Sequence, residues 1–253
     1  MKKQITILSL LISSIAISQT QGEITYTSKV NMHINLGDDA NSDMIRNMIP
    51  EFQESKSKLL FTTTQSLYEN LPEEETAQEI QDEGEGNVQI KIEFTTPDEK
   101  TYTDLKTGII VEQRDLMGKI FLVKDTLKKS DWHVIDEHKL VSDLMCQKAQ
   151  LINETDTITA WFTTKIPAST GPMGFGGLPG LIVKISMDQG SFEIIATNIQ
   201  LRKIGPKEIK IPKKGKEISA QKFDELEQKK RKEMEEYYQG VKEDGGTVIM
   251  ISN

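Results

Sequence analysis

A ten-residue loop rich in glycine and proline constrains the fold of this chain more than any other stretch. Five of the ten residues from 171 to 180 are glycine and two are proline. Glycine adopts backbone angles closed to other residues, whereas Pro172 and Pro179 fix φ and lack an N–H donor. The loop is therefore predicted to be neither helix nor paired strand. It leads directly into the β-branched run Leu181–Met187, which predicts a strand.

Alternating apolar and polar residues predict strands along much of the chain. A period of two is typical of a half-buried strand, and in the first such run the apolar positions are Ile24, Tyr26, Val30, Met32 and Ile34. Turn-forming residues separate the short runs, and no strand–helix–strand rhythm interrupts them. We predict an α+β fold that is mainly β: a strongly curved, half-barrel-like antiparallel sheet with one or two packing helices.

Two charged segments are predicted to lie outside this sheet. Residues 72–87 carry seven acids and no base; because the calcium-loop pattern is absent, we predict a solvated acidic loop. Residues from about 218 to 239 predict a charged helix on the sheet, capped by Ser219. Its apolar stripe comprises Phe223, Leu226, Met234 and Tyr237. A closing strand is predicted at Thr247–Ile251, and residues 19–253 are predicted to form a single domain.

The first eighteen residues predict a secretory signal peptide. Lys2 and Lys3 precede an apolar run from Ile5 to Ile17, with small residues before a cut at Gln19. A membrane-spanning helix needs about 20 apolar residues, and this run is shorter. No other stretch predicts a transmembrane helix. We therefore expect export to the periplasm, the cell envelope or the medium.

The net charge disfavours two classes of binding partner, and the cysteine content excludes an internal disulfide. The net charge is −8, and it becomes −10 once a leader bearing Lys2 and Lys3 is removed. An acidic exported protein is poorly suited to bind nucleic acid or anionic lipid surfaces. Cys146 is the single cysteine, so no internal disulfide can form. It is either a buried small apolar residue or a reactive thiol, and both alternatives stay open at this point.

Known catalytic and metal-binding patterns are absent. The three histidines, His33, His133 and His138, do not form an H-E-x-x-H motif. The chain has no G-x-S-x-G elbow, and the glycine-rich loop lacks the lysine and the following helix of a phosphate-binding loop. We predict no catalytic residue, no metal and no cofactor, and hence a protein that is not an enzyme.

The segment Gly177-Leu-Pro-Gly-Leu-Ile182 resembles the signature of the GLPGLI family, exported proteins found largely in Bacteroidota. The resemblance extends over residues from about 102 to 223. Further residues stand in the order which that family shows: Cys146, Lys148, Ala149, Trp161, Pro167, Gly171 and Pro172. The resemblance implies a β-rich exported protein of uncharacterised function, and it assigns no catalytic residue.

Two functions of different class follow as expectations. The first is the binding of an apolar ligand or a lipidated partner on the curved sheet, similar in architecture to the curved-sheet proteins that shuttle lipoproteins. The second is a structural module that docks another envelope protein. In the motif, we expect Gly177 and Gly180 to allow positive φ or close packing, Leu178 and Leu181 to fill the core, and Trp161 to pack nearby.

Overall fold

The computed structural model of the 253-residue chain describes residues 20–33, 43, 46–47, 49–72, 76–81, 89–94, 97–127, 130–152, 157–187 and 190–243. The predicted signal peptide and the predicted strand at Thr247–Ile251 lie outside these residues.

Fourteen strands are described, and twelve of them form one sheet. In chain order they are β1 (Gly22–Asn31), β2 (Phe52–Phe61), β3 (Gln65–Asn70), β4 (Thr76–Gln81), β5 (Gln89–Phe94), β6 (Lys100–Asp104), β7 (Ile109–Leu116), β8 (Lys119–Thr126), β9 (His133–Val141), β10 (Leu144–Ile152), β11 (Thr157–Thr163), β12 (Leu181–Met187), β13 (Phe192–Leu201) and β14 (Lys216–Ser219). The order across the sheet is β14-β8-β7-β6-β3-β2-β1-β13-β12-β11-β10-β9.

The sheet is open and strongly curled. Ser142, in the turn between β9 and β10, donates a hydrogen bond to the carbonyl of Ala196 on β13, although two strands separate β10 from β13 in the sheet. The hydroxyl of Tyr26 on β1 likewise reaches past β13 to the carbonyl of Ile182 on β12, at 2.7 Å. The predicted mainly-β fold with a curved sheet is confirmed. Neighbouring strands are antiparallel, except that β14 runs parallel to β8.

The inner face of the sheet carries the main core. On β1, buried Ile24 and Tyr26 alternate with half-exposed Thr25 and Thr27, as a period of two requires. These side chains join one apolar cluster that includes residues of β2, β10, β11, β12 and β13 and of the β11–β12 loop, residues 164–180. The predicted loop therefore lies against the core of the curl.

The segment after β13 covers part of the outer face. Leu67, Tyr102, Val111 and Leu122 form a second apolar cluster, against which Ile209 packs. Arg202 fixes the start of this crossing, because its guanidinium lies 2.6 Å from carboxylate oxygens of both Glu23 and Glu208. The sheet is thus covered on both faces near β3 and β6–β8.

One long helix is described, α1 (Ala220–Glu243), where residues from about 218 to 239 were predicted. Phe223 is buried and meets Phe121 edge to face at 5.6 Å. Arg114 lies over Phe223 and donates a hydrogen bond to Glu227 at 3.1 Å. Leu226 packs beside Phe223 at the β8–β14 end of the sheet, whereas Met234 is exposed, so the described part of the predicted stripe packs through its first two members.

The predicted acidic loop at 72–87 needs a correction. Its residues from Thr76 to Gln81 form β4, which pairs with β5 in a separate two-stranded hairpin. Ile80 stands directly opposite Ile90, so pairing with the alternating run of β5 outweighs the acidic composition of the segment. Residues 73–75 and 82–88 lie outside the described part of the chain.

Candidate functional site

The second half of the glycine-rich loop is buried. Leu178, Leu181 and Ile182 belong to the main core cluster. Gly180 is required there by contact, since a Cβ atom at this position would lie 2.1 Å from the carbonyl oxygen of Thr163. Its φ is not positive, so close packing accounts for this glycine.

Backbone hydrogen bonds hold this buried half in place. The N–H of Leu181 donates to the carbonyl of Ile166, and the N–H of Ile182 donates to that of Thr170, each at 3.0 Å. The carbonyl of Ile182 accepts the 2.7 Å bond from Tyr26. Burial raises the pKa of Tyr26 well above its usual value, which keeps this donor protonated.

Residues 173–177, in the first half of the loop, are exposed or half-exposed and contain left-handed backbone. Gly174 and Gly177 have φ values of 77° and 86°, which favour glycine. Met173 also has a positive φ, 54°, and its side chain is 44% exposed. A non-glycine residue in this conformation costs about 1–2 kcal/mol. The fold thus holds an apolar side chain at the surface at the expense of backbone strain.

A groove opens between this half of the loop and the ends of β7 and β8. Its volume is about 480 Å³. Its walls combine exposed or half-exposed apolar side chains with a few polar groups and loop backbone: Ile110, Asp125, Thr126, Leu127, Ser130, Met173, Gly174, Phe175, Gly176 and Gly177. Leu127 is 38% exposed. This combination suits an apolar ligand oriented by a small number of hydrogen bonds.

An aromatic pair stiffens one wall of the groove. Trp132 and Phe175 meet edge to face with ring centroids 6.3 Å apart. The indole N–H of Trp132 donates to the carbonyl of Gly176 at 2.9 Å. On the opposite side of the turn, the N–H of Gly177 donates to the Ser169 hydroxyl at 3.1 Å. The wall is therefore largely preformed.

The residues predicted to support the motif divide into two sets. Cys146, Ala149, Gly171 and Pro172 are buried, whereas Pro167 and Pro179 are exposed. Burial raises the pKa of the Cys146 thiol to about 11. Between the two alternatives left open for this cysteine, the structure favours the buried apolar residue, because almost no thiolate exists at neutral pH.

Lys148 and Trp161 meet in a cationic cluster on another surface. The Lys139 ammonium lies 3.9 Å from the centre of the buried Trp161 ring, and that of Lys148 lies 5.9 Å from it. Lys148 is paired with Glu137 at 2.8 Å. Desolvation and the nearby Lys184 lower the pKa of Lys139. These contacts cover one face of the indole with lysine side chains.

Most of the residues that line the groove were not predicted from the sequence. Of the predicted motif residues, Gly177 alone lines the groove. Ile110 and Leu127 enter it because the curled sheet brings the β7–β8 region to the loop, a long-range effect without a local signal. Met173 and Phe175 were visible as apolar residues within a glycine-rich loop, which is the signal that could have identified them.

The remaining candidate residues are not brought together into a metal site within the described residues. His133 and His138 are exposed on β9, the edge strand. Within the described ranges, no group of three or more His, Cys, Asp or Glu side chains is placed to hold a metal ion. Of the helices that the structure describes, none has both the length and the apolar character needed to cross a membrane.

Comparison with known proteins gives a match to a family of unknown function over part of the chain, and a similarity of fold. Residues 119–184, which include the Gly177–Ile182 segment, match the family described as "Protein of unknown function (Porph_ging)". No curated protein matches the chain. Two structures of PNGF-II, in different space groups, are similar with TM-scores of 0.52 and 0.51 at 14% and 15% identity.

The PNGF-II similarity covers 82% and 83% of this chain but 33% of each PNGF-II chain. This chain therefore spans about a third of the length of those proteins. At this identity the similarity establishes the fold alone.

Proposed function

We propose that this chain is a non-enzymatic, exported cell-envelope protein that binds an apolar ligand or the lipid chain of a partner in the groove beside the glycine-rich loop. The observation that carries the proposal is the exposed, strained Met173 at the wall of a 480 Å³ groove. Strained residues persist where the surrounding structure over-determines them, and they cluster at ligand sites.

The groove is a better site than the centre of the curled sheet. The inner face beneath the buried half of the loop is filled by the chain's own side chains, among them Tyr26, Phe162 and Leu178. Among the described residues of this cluster, close packing leaves no space for an acyl chain. The ligand therefore binds at the rim, where Met173 and Leu127 remain exposed.

The groove has the size and chemistry of a small-ligand site. Such pockets typically measure about 300–1,000 Å³ and combine apolar walls with few polar groups. A single alkyl chain would lie against Ile110, Leu127 and Phe175, while Ser130 and the exposed loop backbone would bind a polar head.

The same proposal includes export through a signal peptide and assignment to the GLPGLI type. The segment before Gln19 has the charge and apolar pattern of a signal peptide. The Gly177–Ile182 segment supports assignment to the GLPGLI type. The buried thiol of Cys146 supports a non-enzymatic role, because a nucleophile needs access and an available thiolate.

The test uses a fluorescent fatty-acid probe and one matched pair of variants. Leu127→Glu places a charge in the groove, whereas Leu140→Glu makes the same change on β9, where Leu140 is 67% exposed. We expect wild-type protein and Leu140→Glu to bind the probe equally, and Leu127→Glu to lose at least about tenfold in affinity, the effect of 1.4 kcal/mol. Equal binding by both variants would contradict the groove assignment.

Native mass spectrometry of gently purified protein supplies an independent check. A bound apolar molecule that disappears after denaturation and refolding would support ligand binding, and its mass would identify the compound. Bare protein in both preparations, combined with no probe binding, would overturn the proposal.

The second candidate is a module that docks another envelope protein. The observation that favours it is α1, whose residues 231–236 are exposed and lie beyond the turns that pack on the sheet. Cross-linking in the intact envelope, followed by truncation after Lys230, distinguishes the two functions. Loss of a specific cross-link with unchanged probe binding would assign docking to α1 and ligand binding to the groove.

A further inference from the structure

The middle of α1 carries its charges in two blocks. Four consecutive bases, Lys229–Lys232, are followed by Glu233, Met234, Glu235 and Glu236. All eight residues are exposed except Lys230, which is half-buried. The helix is fastened to the sheet earlier, by Phe223 and Glu227. The two blocks are therefore presented to solvent on a rigid element.

Pairing within the helix does not explain this arrangement. The ammonium groups of Lys229 and Lys230 both pair with Glu233, at 3.8 Å and 2.5 Å. A lysine N-terminal to its glutamate is the weaker orientation on a helix, and exposed pairs contribute about 0–1 kcal/mol. Over the part of the chain described, Arg231, Lys232, Glu235 and Glu236 have no ion pair.

One face of the helix is self-complementary. Residues i, i+3, i+4 and i+7 lie on the same side of a helix. Lys229, Lys232, Glu233 and Glu236 occupy these positions, so this face reads base, base, acid, acid along the helix axis. An identical face running in the opposite direction presents an acid to each base. Lys229 then meets Glu236 of the second copy, and Lys232 meets Glu233 of the second copy.

We propose that a second copy of this chain docks on this face, with the two α1 helices antiparallel and a two-fold axis near residues 232 and 233. Each pair occurs twice by symmetry, and the interface closes on itself, as in most dimers. No groove-lining residue comes from α1, so dimerisation and ligand binding use separate surfaces.

The charged character of the face sets the expected behaviour. Interactions between exposed charges are screened by salt, with a Debye length of about 10 Å at 0.1 M and about 3 Å at 1 M ionic strength. The dimer is therefore expected at low ionic strength and high protein concentration, and is lost at high ionic strength. A dimer held by apolar burial would behave in the opposite way.

A charge-swap experiment tests the proposal by analytical ultracentrifugation of the purified protein. Lys229→Glu with Lys232→Glu makes the face wholly acidic, and Glu233→Lys with Glu236→Lys makes it wholly basic. Each double variant alone is expected to be monomeric where the wild type dimerises, because like charges then face each other. An equimolar mixture of the two is expected to restore the dimer as a heterodimer.

Lys207→Glu with Lys210→Glu is the matched control for Lys229→Glu with Lys232→Glu. It changes the net charge by the same amount, but at exposed lysines outside α1. It should dimerise like the wild type. Restoration by mixing also excludes misfolding as the cause of either loss, and circular dichroism verifies that α1 persists. A wild type that stays monomeric at low salt, a double variant that dimerises alone, or a mixture that stays monomeric would each overturn the proposal.

Discussion

The two halves of the glycine-rich loop differ in burial, backbone and role. Residues 178–182 are mostly buried, and Gly180 is there because a side chain would collide with Thr163. Residues 173–177 are exposed or half-exposed, and three of them have positive φ. The recognisable signature letters mainly build the core, whereas the adjoining and less distinctive letters build the groove. A sequence signature can therefore mark the support of a surface groove rather than the groove itself.

The largest expected effect is in the buried half. Gly180→Ala would place a Cβ atom 2.1 Å from the Thr163 oxygen, so backbone must move. We expect unfolding free energy to fall by about 3 kcal/mol, the upper range for overpacking. Chemical denaturation measures it. An unchanged midpoint would show that the two halves are not packed differently.

Alkaline pH should weaken the aromatic layer beneath the buried half. Burial raises the pKa of Tyr68, which contacts Tyr26 edge to face, to about 12. An unfolded tyrosine loses its proton near pH 10. Between about pH 10 and 12 the folded chain binds more protons, so stability falls as pH rises, by about 2–3 kcal/mol for this group. Chemical denaturation at both pH values measures this loss. The unfolding free energy of the wild type should fall more between the two pH values than that of Tyr68→Phe, which lacks the titrating hydroxyl.

Gly177→Ala tests the exposed half through its backbone alone. The position has φ of 86°, but a Cβ atom would meet nothing closer than Trp132 at 3.9 Å. We expect a loss of about 1–2 kcal/mol from the left-handed conformation. Gly118→Ala is the control, with φ of 75° and open space. Both should cost similar stability, and only Gly177→Ala should weaken binding of the fatty-acid probe. A much larger loss at Gly177 would mean that this half is packed like the other.

The smallest expected effect on stability is a gain rather than a loss. Met173→Gly relieves a positive φ at an exposed side chain, so we expect stability to rise by about 1 kcal/mol while probe affinity falls. Met117→Gly is the control, because Met117 shares the φ of 54° and is 53% exposed in the β7–β8 turn. It should gain stability without affecting the probe. If Met173→Gly leaves probe affinity unchanged, Met173 is not part of the binding wall.

Local sequence patterns predicted much of the fold. The alternation of Ile24 and Tyr26 identified β1, and the run after Gly180 identified β12, because a period of two depends only on neighbouring residues. The burial of Leu178 and Leu181 followed from their place at the junction of loop and strand. The acidic composition of residues 72–87 gave a wrong prediction at β4, since composition gives no information on pairing with the following run, β5.

The sequence by itself determined the strand-rich fold and the charged helix, because these depend on local backbone preference and side-chain period. The loop departs from its prediction, because Pro172–Gly174 forms a short 3-10 turn and Thr170 forms an isolated bridge with Gly176. Only the tertiary structure decided which side of the loop faces solvent. The curl of the sheet brings Leu127 to Met173, and the backbone of Met173 is forced into a left-handed conformation that methionine does not favour. The groove is thus a product of contacts distant in sequence.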